Sequence, residues 1–309
     1  MHWHWLIVIY LFLGGLGAGT YLTSFAAEKG WLGKSSSLTR MGYYLAPPIV
    51  TIGTVLLVFD LGQGLTKPWL LIGLIMNPRS VMTWGVYILA LFIVVGLIKA
   101  YFTFKNKATP NIVTITGAVL ALATCAYTGL LLTVIKAVPF WATGIMPVLF
   151  VVSAISTGLS LTSLLAILAE KERFTEGREG QAHILLIGAE LIIVAVFVGI
   201  MFFGVNGPVG KESVELVVTG AYSLVFWGYF IGLGLLFPLF VFIYQHRKSK
   251  QSAVNETLSA ASEIAATVQK KHHSFLTIVS DISVIIGGFA LRALIILAAI
   301  PVWDGFTIY

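Results

Sequence analysis

The sequence predicts an all-α integral membrane protein with eight transmembrane helices, and three observations lead there. Hydrophobic residues make up 58% of the 309 residues and charged residues 10%, with a mean hydropathy of +0.95, far outside the range of soluble domains. Apolar windows long enough to cross a hydrocarbon core of roughly 30 Å recur along the chain. The basic residues gather in alternate loops between those windows.

In order, the windows fall at about 5–26, 43–61, 81–104, 111–135, 144–169, 181–204, 218–244 and 275–300. The first reads as a retained span and not a signal peptide, because Met1-His2-Trp3-His4-Trp5 carries no Lys or Arg and the apolar run is long. Within it, Gly14-Gly15-Leu16-Gly17-Ala18-Gly19 has a Gly-x-Gly spacing but no preceding strand, so Gly15 and Gly19 are read as close helix packing and not dinucleotide binding. Between spans two and three, Asp60 to Gly85 concentrates Asp60, Lys67, Pro68, Trp69, Pro78, Arg79 and Trp84 in an otherwise apolar chain. Its middle, Trp69 to Met76, is too short to span and too apolar for water, which suits a segment lying at the membrane interface. Between spans seven and eight, Val254, Leu258, Ala261, Ile264, Ala265 and Val268 recur at helical spacing, predicting an amphipathic surface helix at about 252–270.

Orientation follows from the basic residues. Loops after spans one, three, five and seven hold Lys29, Lys34, Arg40, Lys99, Lys105, Lys107, Lys171, Arg173, Arg178, Arg247, Lys248, Lys250, Lys270 and Lys271. The other side holds only Lys67, Arg79, Lys136 and Lys211. The basic side is therefore predicted cytoplasmic, which puts both termini and the Asp60–Gly85 stretch on the periplasmic or outer side of a prokaryotic cytoplasmic membrane. Trp3, Trp5, Trp69, Trp84, Trp141 and Trp303 fall on that outer side, against Trp31 on the inner. An anchoring belt and a surface that meets a partner both account for this bias.

Several chemistries are excluded. The single cysteine, Cys125, supports neither a disulfide framework nor an iron–sulfur cluster. Of His2, His4, His183, His246, His272 and His273, only His183 lies within a span, whereas a membrane haem usually takes buried histidines from two; no haem or metal is expected. The positive charge forms no continuous stripe for nucleic acid.

Ionisable residues inside spans are the best guide to function, since each costs about 2.5 to 3.5 kcal/mol at mid-helix on insertion scales. Asp60 closes span two at the outer side, Tyr127 lies near the outer end of span four, and His4 opens span one. Arg292 sits about 27 Å along span eight from its inner end, again towards the outer side. With Arg79, these residues are expected at one membrane level; an Asp–Arg ion pair with snorkelling ends is the structural alternative. A deeper set comprises His183 and Glu190, seven residues apart on one face of span six, and Asp281 on the face of Arg292 in span eight. It reads either as a proton route or, for His183 and Asp281, as helix-end solvation.

The chain resembles the NrfD/PsrC family, the integral membrane subunits of polysulfide-reductase-like complexes, over nearly its whole length. The likeness rests on Ile9 to Gly19, Asp60-Leu61-Gly62, Asn77-Pro78-Arg79-Ser80 with Met82 and Trp84-Gly85, and Tyr127-Thr128-Gly129-Leu130-Leu131. It continues through Pro147, Leu149-Phe150, Ser153-Ala154 and Ser156-Thr157-Gly158 to Gly287-Gly288-Phe289 and Leu291-Arg292. The resemblance implies two four-helix bundles, taken as residues 1–135 and 136–309. It also implies a non-covalent quinone, menaquinone or ubiquinone, near the outer face. The implied partners are a four-cluster ferredoxin-like iron–sulfur subunit and, through it, a molybdopterin catalytic subunit or a multihaem cytochrome. The family's pocket tyrosine matches Tyr127; its span-one histidine has no counterpart inside this span, leaving His4 or His2 at the end.

Quinone chemistry needs hydrogen-bond partners for two carbonyl oxygens and a route for protons. Tyr127 and His4 are the expected donors, Asp60 the proton-exchanging group, and Arg79 and Arg292 the stabilising charges. Asn77, Pro78, Trp84 and Trp141 are the expected docking residues for the iron–sulfur partner. The chain is thus expected to be the quinone-reactive subunit of a respiratory oxidoreductase. Two other classes remain open: an anchor without its own redox site, and a transporter or proton-coupled subunit built on Glu190 and His183.

Overall fold

The computed structural model describes residues 5–33, 35–60, 76–170, 178–255 and 263–302, leaving out the side chains of residues 36, 60, 169, 170, 249–255 and 263–274. Described residues form helices and connecting turns, with no strand among them. In chain order the helices are α1 (Trp5–Glu28), α2 (Ser36–Asp60), α3 (Val81–Phe104), α4 (Asn111–Thr133), α5 (Ile145–Glu170), α6 (Arg178–Phe202) and α7 (Gly207–Val218). A π-helical stretch, Val225–Leu236, then runs into α8 (Phe237–Asn255), and α9 (Glu263–Leu297) closes the molecule. Among described residues, eight segments are long and apolar enough to cross a membrane: α1 to α6, Val225–Lys248, and the Phe275–Leu297 part of α9.

The windows match these spans closely except at the second, which starts at Ser37 and not at 43, and at the seventh. The window expected to open at 218 begins at the last residue of the short amphipathic α7 and runs through a turn at Thr219–Tyr222, whereas the span itself starts at Val225. Hydropathy alone does not separate them, because both flanks of the turn are apolar. The amphipathic helix expected at about 252–270 falls across the end of α8, the start of α9 and residues 256–262, which lie outside the described residues.

Helix α1 is the hub. It touches α2, α4, α5 and α9, while α3 packs on α2 and α4, α6 on α5 and α8, and α9 on α5, α8 and the π-helical stretch. Its glycines permit this. A Cβ at Gly19 would lie 1.9 Å from the Ala154 carbonyl oxygen, and one at Gly158 would lie 2.2 Å from the Gly19 carbonyl carbon, so α1 and α5 cross backbone to backbone. Gly234 and Gly287 make a similar contact between the π-helical stretch and α9.

Two main apolar cores result. One joins Ala18 and Tyr21 of α1 to Tyr43 and Val50 of α2, Phe92 of α3, and Ala121 and Tyr127 of α4. The other gathers Phe150 of α5, Ile187 and Phe197 of α6, Phe230, Phe242 of α8, and Leu291, Leu294 and Ile296 of α9 around the N-terminal half of α1. Trp141, in the α4–α5 loop, is fully buried in this second core, where its indole nitrogen donates to the Ile295 carbonyl at 2.7 Å.

Candidate functional site

The polar run Asn77–Gly85 folds as a turn leading into α3. Thr83, fully buried, donates through Oγ1 to the Asn77 carbonyl at 2.7 Å, and Trp84 Nε1 donates to the Pro78 carbonyl at 3.0 Å. Together these bonds hold the turn against the first residues of the helix. Asn77, Pro78, Arg79 and Trp84 remain exposed around it. Gly85 follows on the inner face, and the Tyr127 ring occupies the space where a side chain would stand: a Cβ at Gly85 would be 1.8 Å from Cζ and 2.0 Å from the phenol oxygen. Tyr127 is 5% exposed. The structure therefore brings together two sequence motifs more than forty residues apart, the tyrosine of α4 and the Asn77–Gly85 turn.

Asp60 ends α2, but its side chain lies outside the described residues, as does all of His4. Trp141 offers a partner no exposed surface, because its indole is spent on the contact with Ile295.

Arg292 lies between α1 and α5 and beside Cys125, two residues before Tyr127 in α4. Helical side chains lean towards the helix N-terminus, and Arg292 Nη1 accordingly donates to the Gly288 carbonyl one turn back at 2.8 Å. The same nitrogen donates to Ser153 Oγ of α5 at 2.8 Å. The carboxyl of Glu190 in α6 lies near the same hydroxyl, so Ser153 stands between the two buried ionisable groups. The guanidinium lies 5.7 Å from the Phe12 ring centre and 5.3 Å from that of Phe150. Gly15 makes room for it, since a Cβ there would be 3.0 Å from Nη2. Tyr127 thus faces Gly85 of α3, while Arg292 faces Ser153 and Glu190. Nε and Nη2 of Arg292 have no hydrogen-bond partner among the described residues.

A further polar set continues from α6 to α9. His183 Nε2 lies 3.8 Å from Asp281 Oδ1 and 4.0 Å from Glu179 Oε1, with all three residues at least 95% buried. These separations are longer than hydrogen bonds, and both His183 nitrogens and both Asp281 carboxyl oxygens lack a hydrogen-bond partner among the described residues. The imidazole stacks on Phe242 at 4.2 Å. Along the facing side of α5 run Ser153, Ser156, Thr157, Ser160 and Ser163, all buried, at three- and four-residue spacing. They form a hydroxyl stripe reaching from the Arg292–Glu190 pair to the Asp281–Glu179 cluster, with Ser160 and Ser163 beside Asp281.

Sequence reasoning does not single out Glu179 or the α5 stripe as site residues. The stripe's signal is its helical periodicity of hydroxyls; Glu179 is hidden by its place beside a basic loop. Lys99, counted as a loop charge, is instead buried in α3, where its ammonium binds Glu28 at 2.9 Å. Among the described residues there is no group of three or more His, Cys, Asp or Glu side chains arranged to hold a metal ion.

The eight apolar spans among the described residues, a hub helix of small residues and ionisable groups gathered in the interior define a multi-pass helical membrane protein. The family profile described as polysulphide reductase, NrfD, matches residues 1–270, and the protein belongs to that family. It is 32% identical to the C subunit of polysulfide reductase from Wolinella succinogenes over 268 positions, covering 77% of this sequence and 81% of that protein. It is 31% identical to protein NrfD of Escherichia coli over 288 positions, covering 82% and 87%. A protein NrfD homolog of Haemophilus influenzae is 28% identical over 333 aligned positions, 96% of this sequence and 94% of that one.

Proposed function

We propose that this chain is the quinone-reactive membrane subunit of a respiratory oxidoreductase, exchanging electrons between the quinone pool and an iron–sulfur partner at the predicted outer face. The observation that carries the reading is Tyr127 seated on Gly85 beside a turn that exposes Asn77, Pro78, Arg79 and Trp84. The residues there fit a quinone head-group: a phenol donor in an apolar wall, with a glycine helix face too narrow for any other side chain. When bound, a quinone supplies two-electron, two-proton redox chemistry. Tyr127 would bind and orient one carbonyl oxygen, His4 and Asp60 would serve the other and exchange protons with solvent, and Arg79 would add positive charge at the rim. Family membership supports placing the chain in such a complex, and the two apolar cores suit a pair of four-helix bundles. Asn77, Pro78 and Trp84 present the docking surface for a four-cluster ferredoxin-like subunit.

Tyr127→Phe is expected to lower quinone-linked electron transfer by at least tenfold while the same subunits co-purify, and Gly85→Ala, which pushes the ring aside, should do the same. Unchanged quinone turnover in the phenylalanine variant sinks the assignment and favours a pure anchor.

A second reading is favoured by the buried line from Glu179, His183 and Asp281 through the α5 hydroxyls to Glu190 and Arg292. Such groups can hand protons between the inner face and the quinone site. In vesicles, Glu190→Gln should abolish proton uptake from the cytoplasmic side during turnover; uptake at the wild-type rate would remove Glu190 from any route.

A further inference from the structure

A cleft of about 640 Å³ opens at the ends of α1 to α4 opposite Tyr127, the side that the basic residues assign to the cytoplasm. Arg40, Lys99 and Lys107 line it together with one acidic residue, Glu28. That carboxylate is already engaged: Glu28 Oε2 accepts from Lys99 Nζ at 2.9 Å and from the Tyr43 hydroxyl. Lys99 is also fixed by Thr114 Oγ1 at 2.9 Å and lies 4.5 Å from the Tyr43 ring centre. The floor is therefore a closed, neutral pair, and the charge left facing the cleft belongs to Arg40 and Lys107. Neither has a side-chain partner among the described residues, and both are exposed.

The position of Lys107 is built into the fold. Asn106 has φ 51°, and the Lys107 amide donates to the Phe102 carbonyl at 3.0 Å while the Asn106 amide donates to that of Thr103 at 3.1 Å. This left-handed cap ends α3 and turns the chain back, placing Lys107 on the cleft wall. The cleft also lies at the level where two spans end. Within three residues of the lining residues Thr103 and Thr109, though not in the cleft wall, Tyr101 and Phe104 of α3 and Ile112 of α4 are 59%, 72% and 73% exposed. Charge above such an apolar surface matches an amphiphile better than a free anion, which has nothing to lay against those side chains.

We propose that this cleft binds the phosphate of an acidic phospholipid, with Arg40 and Lys107 as counter-charges and the acyl chains along the apolar faces of α3 and α4. Basic pockets between helices on the cytoplasmic side are suited to such head-groups, and each basic residue near the surface contributes about fivefold in binding. The site is independent of the quinone reading, since it lies at the opposite ends of the helices.

The test uses the purified full-length chain with its co-purifying subunits, titrated with phosphatidylglycerol or phosphatidylcholine and read by native mass spectrometry. Phosphatidylglycerol should be retained in excess, Arg40→Gln/Lys107→Gln should lower its retention about 25-fold, and Arg40→Lys/Lys107→Arg should restore it. Quinone turnover should be unchanged in all three proteins, and millimolar inorganic phosphate should not displace the lipid. Equal retention of the two lipids, undiminished binding in the glutamine variant, failure of the charge-conserving variant to bind, or displacement by phosphate alone would each overturn the proposal.

Discussion

Arg292 is the most informative single residue. An arginine in a span is conspicuous in the sequence because of its cost, and so is Glu190, but neither points to the other. Their link is Ser153, a residue type common in spans and silent about its partners until α5 is packed against α6 and α9. Breaking one member of a buried charge pair leaves the other uncompensated, so Arg292→Met should destabilise the protein by about 3–5 kcal/mol. Glu190→Leu should do likewise, whereas the double variant should lose much less than the sum. Thermal unfolding in detergent completes the cycle; strictly additive losses would mean that the two charges do not communicate through Ser153. Tyr127 is legible for the opposite reason, since its motif stands out, while its seat on Gly85 becomes visible only when α3 and α4 are brought side by side.

At the scale of helices, small residues decide which elements meet. Gly15 and Gly19 read as a packing face, and the structure divides their work: Gly19 lets α1 cross α5, and Gly15 leaves room for the Arg292 guanidinium. Gly19→Val should therefore separate α1 from α5 and lower stability by on the order of 1–3 kcal/mol or more, reducing the yield of folded protein after detergent extraction. Gly144→Ala, where an added Cβ meets nothing within 4 Å, should leave yield and melting unchanged and serves as the control. The seventh span shows where hydropathy runs out. The end of α7 is apolar like Val225–Leu236, so a sliding window opens the span too early, and only backbone geometry reveals the turn, the π-helical winding and the contact of Gly234 with Gly287.

For the whole molecule, the distribution of Lys and Arg predicts that a reporter active only in the cytoplasm will be silent when fused to either terminus and active when inserted in the α3–α4 loop near Lys107. Activity at a terminus would invert the orientation and move Tyr127 to the other face. The sequence by itself determined the class, the number of spans and nearly all their limits, because crossing a bilayer imposes length and composition on each segment locally. It also exposed the unusual residues Asp60, Arg79, Tyr127, Glu190 and Arg292, because charge and aromatic motifs stand out against an apolar background. Tertiary structure alone decided which of them belong together. Arg292 was matched to Ser153 and Glu190, Trp141 turned from surface to core, and Lys99 moved from loop to buried pair. In a membrane the burial of a polar side chain depends on which neighbouring helix can satisfy it, and that neighbour is set by packing between segments far apart in the chain.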